Sequence, residues 1–85
     1  MIVNALRRVG ASVQHLHTVG DGCPDIAVGW KGQNFFMEIK DGSLIPSKQK
    51  LTPDEARWHS LWNGHKCIVR SPDEALEAIG IRCVR

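Results

Sequence analysis

The sequence predicts an α/β domain: a small mixed β-sheet flanked by helices, in the order helix, three strands, helix, strand, helix. Three observations predict it. Two apolar runs, 25–30 and 35–40, stand on either side of a turn-like "KGQN". Two stretches, "TPDE" at 52–55 and "SPDE" at 71–74, carry the capping residue, proline and acidic residue that start helices. Between them "HKCIVR" reads as a further short strand.

The elements follow in chain order. "IVNALRRV" at 2–9 sets Ile2, Leu6 and Val9 at helical spacing, and Gly10 is a natural stop. "ASVQHLHTV" alternates Val13, His15 and His17 against Ser12, Gln14 and Leu16, an imperfect strand pattern, and "GDGCP" is a turn. In the hairpin that follows, a "KGQN" loop between Trp30 and Phe35 sets Asp25 opposite Lys40, Ala27 opposite Glu38 and Gly29 opposite Phe36. Because side chains alternate faces, one face then carries Ile26, Val28, Trp30, Phe35, Met37 and Ile39 and forms the core. The other carries Asp25, Glu38 and Lys40 together, with small Ala27 and Gly29 leaving room. "DGSLIPSKQK" is a polar, basic loop. Beyond it Thr52, Pro53 and Glu55 start a helix with Trp58, Leu61 and Trp62 as its apolar stripe and Gly64 as its stop. Ser71, Pro72 and Glu74 start the last helix, and "IRCVR" ends the chain as a strand or a tail. The two start signals are one capping solution used twice, since the sequences after them diverge at once.

Eighty-five residues make one domain, 1–85, and a chain this short buries a modest share of its surface, so help from a partner copy is expected. With 42% hydrophobic and 24% charged residues it reads as globular rather than disordered. The net charge of +2 is weak, but five of nine acidic residues, Asp54, Glu55, Asp73, Glu74 and Glu77, fall in the two later helices. If a cation neutralised the remaining carboxylates, the surface around them would attract phosphates. Cys23, Cys67 and Cys83 are odd in number and widely spaced, which favours a reducing, cytoplasmic setting over a disulfide framework. No apolar run is long enough to span a membrane, and "MIVNALRRVGASV" lacks the ordering of a signal peptide.

Two carboxylates close in space suit a hard divalent cation, Mg²⁺ or Mn²⁺, and an adjacent ammonium can assist hydrolysis of a phosphodiester. Asp25, Glu38 and Lys40 contain these parts. The competing reading is a solvent-facing salt-bridge cluster at a hairpin end, and the clean separation of faces favours a site. Asp21 and Asp41 are expected as loop residues at its rim. His15, His17, Cys23, His65 and Cys67 are scattered, whereas structural zinc takes ligands in tight pairs. Trp58 and Trp62, at i and i+4, are expected as core or dimer interface ahead of base-stacking residues. Lys48, Gln49 and Lys50 are the candidate DNA contacts.

Pro24-Asp25 followed by Glu38-Ile39-Lys40 resembles the PD-(D/E)XK nuclease superfamily, and more narrowly its VRR-NUC group. "GDGCPDIAVG" looks like that group's G-x-P-D strand, "FFMEIKDG" like its E-x-K strand, and "LTPDEARWHSLWNGHKCIVRSPDEAL" like its following helix, strand and last helix. The resemblance implies a restriction-endonuclease-like core in which Asp25, Glu38 and the backbone carbonyl of Ile39 bind the metal and Lys40 assists hydrolysis. It further implies an endonuclease acting on branched DNA such as four-way junctions, a homodimer or higher oligomer, and kinship with small stand-alone members, many from phages. Two departures stand out. The first helix lacks the acidic residue that members often carry there, with Asn4 near that position, and Glu55 stands where they usually have Gln. With His17, these are the candidate site-adjacent residues. The missing carboxylate leaves an alternative: a nucleic-acid-binding module that keeps the fold without turnover.

Overall fold

The structure, a computed structural model, describes residues 1–82, with only the backbone of Lys48. Cys83 and the end of the "IRCVR" segment lie outside the described residues. The elements are α1 (Ile2–Arg8), β1 (Ser12–His15), β2 (Ile26–Trp30), β3 (Gln33–Ile39), a short 3₁₀ turn (Pro46–Lys48), α2 (Pro53–Leu61), β4 (His65–Val69) and α3 (Pro72–Ala78). The predicted order holds, and the four strands form one mixed sheet in the order β1-β2-β3-β4. The first three pair antiparallel, and β4 lies parallel to β3 because α2 carries the chain back across the sheet.

One face of the sheet is the core. Ile26, Val28, Phe35, Met37 and Val69 are buried there with Ile2 and Leu6 of α1, Ala75 of α3 and Ile79 just past its end. At roughly 1.5–3 kcal/mol per fully buried large aliphatic side chain, this layer is the main source of stability. α2 covers the other face and buries none of its own residues. It rests on Phe36 of β3, whose ring meets Trp58 and Trp62 edge-on at centroid distances of 5.4 and 4.8 Å. Leu61 is 67% exposed, so the expected Trp58-Leu61-Trp62 stripe is reduced to the two tryptophans. The helix also stops before Gly64: Trp62 already has extended backbone. Lys66 on the neighbouring strand donates to the His59 and Trp62 carbonyls, satisfying groups that the helix end leaves unpaired.

The hairpin register differs from the expected one by two residues. Ala27 pairs with Phe36, Gly29 with Asn34 and Trp30 with Gln33, so the loop is Lys31-Gly32 alone. Both have positive φ, +49° and +79°, the backbone of a tight two-residue hairpin turn. Gln33 and Asn34 extend the strand, so "KGQN" is not the expected four-residue loop. An even shift keeps every side chain on its face, so the separation into core and charged faces stands. β1 is shorter than expected and leaves His17 in the exposed turn that follows it.

A Cβ at Gly32 would meet nothing within 4 Å, so substitution there tests the backbone alone. Gly32→Ala is expected to cost about 1–2 kcal/mol, read as a lower urea midpoint with unchanged slope. An unchanged midpoint would show that the turn does not need its left-handed backbone.

Candidate active site

The shifted register moves the charges into a new arrangement. Asp25 falls opposite Glu38 rather than Lys40, one step beyond the Ile26–Met37 pair, on the face that carries Ala27 and Phe36. Asp25 is held from the backbone: its Oδ2 accepts the Ile39 N–H at 2.7 Å, which stands in for a ladder bond past the end of β2. Glu38 is 3% exposed and is the only buried charged side chain among the described residues. Its Oε1 has no hydrogen-bond partner among them. Burial above all, then the hydrogen bond that protonated Glu38 makes to Asp25 and the charges of Asp25 and Glu55, push the Glu38 carboxyl up to about 8, against the opposing pull of Lys40.

Lys40 continues the chain past β3 while its amide donates to the Val69 carbonyl at 3.0 Å. Its Nζ lies 2.9 Å from Glu55 Oε1 and 4.0 Å from Glu38 Oε2. The bond to Glu55 is the largest influence on Lys40 and raises its pKa, outweighing burial. Glu55 in turn completes the capping box of α2: its Oε1 accepts the Thr52 N–H at 2.9 Å, and Thr52 Oγ1 accepts the Glu55 N–H at 3.2 Å. Burial would raise Glu55, but the Thr52 amide and the Lys40 ammonium together hold it below the usual carboxylate range. The structure thus joins the start of α2 to the charged end of the hairpin, and Glu55 serves both.

Other candidates sit apart. Asn4 is exposed on α1, a helix of the opposite face, and makes no hydrogen bond or ion pair with the cluster. His17 is exposed, its ring 5.9 Å from that of His15. Gln49 is occupied, donating to the Leu44 carbonyl and accepting from Arg70 Nε at 2.8 Å, so it braces the loop instead of standing free for DNA. Lys50 is exposed, and nothing is described of the Lys48 side chain. Asp41 turns back to accept from Ser43, and Asp21 is exposed. Cys23, weighed only as a scattered thiol, lies beside the pair: burial first, then the charges of Glu38 and Asp25, raise its pKa. Its position two residues before Asp25 was the one signal for this in the sequence.

Among the described residues, no group of three or more His, Cys, Asp and Glu side chains is arranged to hold a metal. The donors that remain still suit a hard divalent cation. Glu38 offers a buried oxygen without a partner, Asp25 an anchored carboxylate opposite it, and the backbone of Ile39 follows Glu38 on the same strand.

The high pKa of Glu38 has a consequence for stability. Between the ordinary value of 4.5 and about 8 the folded chain keeps a proton that the unfolded chain releases, so stability falls as pH rises through this window. Glu38→Gln removes the cost of ionisation. In metal-free buffer it is expected to be more stable than the parent by about 2–4 kcal/mol at pH 9, the gap closing toward pH 4. Parallel stability curves for the two proteins across that range would contradict the burial account.

The chain matches no protein-family model, no curated protein and no solved structure, so the chemistry of the site itself carries the functional reading.

Proposed function

We propose that the protein is a Mg²⁺- or Mn²⁺-dependent DNA endonuclease with a restriction-endonuclease-like core, selective for branched DNA and acting as a homodimer. The observation that carries this reading is the buried Glu38 oxygen left without a partner beside Asp25, with the nearest ammonium committed to Glu55. A salt-bridge cluster would pair its own charges; this one leaves a buried carboxylate oxygen without a partner. The resemblance to the VRR-NUC group supports the reading from the order of motifs, and the helix, three strands, helix and strand around the charged hairpin are compatible with it.

Asp25, Glu38 and the Ile39 carbonyl would hold the ion. Once bound, such an ion supplies a water of lowered pKa and polarises a phosphoryl oxygen. The chain does the rest. The Ile39 N–H fixes the orientation of Asp25. Glu38 would hold such a cation as a carboxylate, the ion's charge compensating for its burial. Lys40, kept charged by Glu55, acts as a fixed positive charge toward a phosphate oxygen or the attacking water rather than as a base. A twofold dimer would present two such sites to two strands, and the exposed Leu44, Ile45 and Leu61 offer apolar surface for a partner copy. An intracellular setting agrees with the free thiols Cys23 and Cys67.

A second reading, a binding module without turnover, draws on the third nearby carboxylate, Glu55, being tied to Lys40. Incubation with a labelled four-way junction and Mn²⁺ separates the two. The nuclease produces fragments, and Asp25→Ala, Glu38→Gln and Lys40→Ala each reduce cutting by at least about 100-fold with DNA affinity largely kept. A shifted band without fragments supports the binder, and undiminished cutting by Glu38→Gln would refute the metal assignment.

A further inference from the structure

The face that carries Asp25 and Glu38 continues along the sheet into a cleft. Next to that pair come Ala27 with Phe36, then Gly29 with Asn34, flanked by Gln14 and Ser12 of β1. These side chains, with Trp62 and His65, enclose an open cleft of about 660 Å³. Its floor is low because Ala27 and Gly29 are small, and its wall is aromatic. Trp62 stacks on Trp58 with centroids 5.0 Å apart and planes 12° from parallel. Trp58 does not line the cleft; Trp62 does, and is 40% exposed. The stack therefore ends in an aromatic surface that has room beside it. Gln14 on β1 and Asn34 on β3 also line the cleft and bring amide donors and acceptors to it.

We propose that this cleft receives an unpaired base of a DNA strand whose backbone crosses Asp25 and Glu38. The ring adds to the Trp58–Trp62 stack, and its edge meets Gln14 and Asn34. The inference rests on the nuclease reading and narrows its substrate to DNA with a single-stranded stretch beside the scissile bond. Spacing supports it: two residues along a strand cover roughly 7 Å, so cleft and carboxylates lie about a nucleotide apart. In a duplex both faces of a base are covered by its neighbours, and only an unpaired base offers its ring to an indole. A second copy of the chain is the rival occupant, but a concave site rimmed by amides suits a planar polar ring better than an apolar self-contact.

Gly29 provides a test that leaves the fold intact. Its φ lies outside the left-handed region, and an added Cβ would meet Ser12 Cβ at 3.5 Å and Asn34 Oδ1 at 3.7 Å, ordinary contacts, so the backbone admits a side chain there and Gly29→Val raises the floor of the cleft. Trp62→Leu removes the wall. Fluorescence anisotropy in EDTA is read with a labelled thymidine oligomer about 12 nucleotides long, within the usual span of single-strand sites, and with a hairpin duplex as control. Each variant is expected to lose about 10-fold or more in affinity for the oligomer, while duplex affinity changes by less than about 2-fold. Gly29→Val should keep the parent's urea midpoint. Unchanged oligomer affinity, no oligomer binding by the parent, or equal losses on oligomer and duplex would overturn the proposal. So would conversion of a dimer to a monomer by Gly29→Val in sedimentation, which would make the cleft a self-interface. If the parent cuts no DNA with Mn²⁺ while the selective loss stands, the nuclease reading falls and the cleft remains a base-binding site. If the parent cuts and Gly29→Val cuts single strands equally well, the cleft alone falls.

Discussion

The arrangement of this protein depends on the two-residue turn at Lys31-Gly32. With both residues in the left-handed region, the hairpin closes so that Ile26 meets Met37, and the next step outward sets Asp25 against Glu38. A four-residue loop would have put Lys40 there and moved Glu38 opposite Ala27. A one-residue slip would turn Glu38 toward α1 and α3 and expose Met37, which is fully buried. Such a slip loses several buried side chains at roughly 1.5–3 kcal/mol each, so the core enforces what the turn begins. The candidate site inherits its geometry from the part of the fold least able to change.

α2 is attached differently. With no buried residue of its own, it is held at its start by Glu55 and Lys40, in the middle by Trp58 and Trp62 on Phe36, and at its end by Lys66. Exposed ion pairs contribute roughly 0–1 kcal/mol. The Lys40–Glu55 pair is only 15% and 19% exposed and shares its carboxylate with the Thr52 amide, so water screens it less than an exposed pair. Gly22 adds a steric condition: any side chain there would run into the Asp54 carbonyl at the first turn of α2, so the "GDGCP" loop and the helix start can approach only through a glycine. The position of the helix and the charge state of Lys40 are thus one structural fact.

Much of this was legible in the sequence, for physical reasons that can be named. Period-two alternation across 25–30 and 35–40 sorted the core from the charged face, because burial tolerates no odd slip. Thr52 and Ser71 both cap their helices, since a hydroxyl one residue before a proline has few other uses at that place. Glu74 does depart from the repeat, accepting the Arg70 N–H instead of the N–H of its own cap. Other features depended on quantities the sequence does not print. Lys31 at positive φ is a choice of backbone that its side chain does not announce. The engagement of Gln49 with Arg70 and the place of Cys23 beside the carboxylates come from contacts between segments far apart or folded back on themselves. Trp62 looked like core or interface by spacing, and only the early end of α2 gives it a partly open ring.

The burial of Glu38 is the feature hardest to account for on structural grounds alone. A carboxylate removed from water with one oxygen unpartnered costs several kcal/mol when ionised, a large share of the 5–15 kcal/mol typical of a whole domain. Glutamine would fill the same space without that cost, and Lys40 could relieve it but lies 4.0 Å away, bonded to Glu55 at 2.9 Å. Asp25 makes matters worse by adding a second negative charge. Burial and the carboxylates of Asp25 and Glu55 therefore outweigh the pull of Lys40 on Glu38, and a small core has little surplus to offset the cost. A destabilising group retained under those conditions makes physical sense if something outside the chain completes it, and the proposed cation between two facing carboxylates would do so.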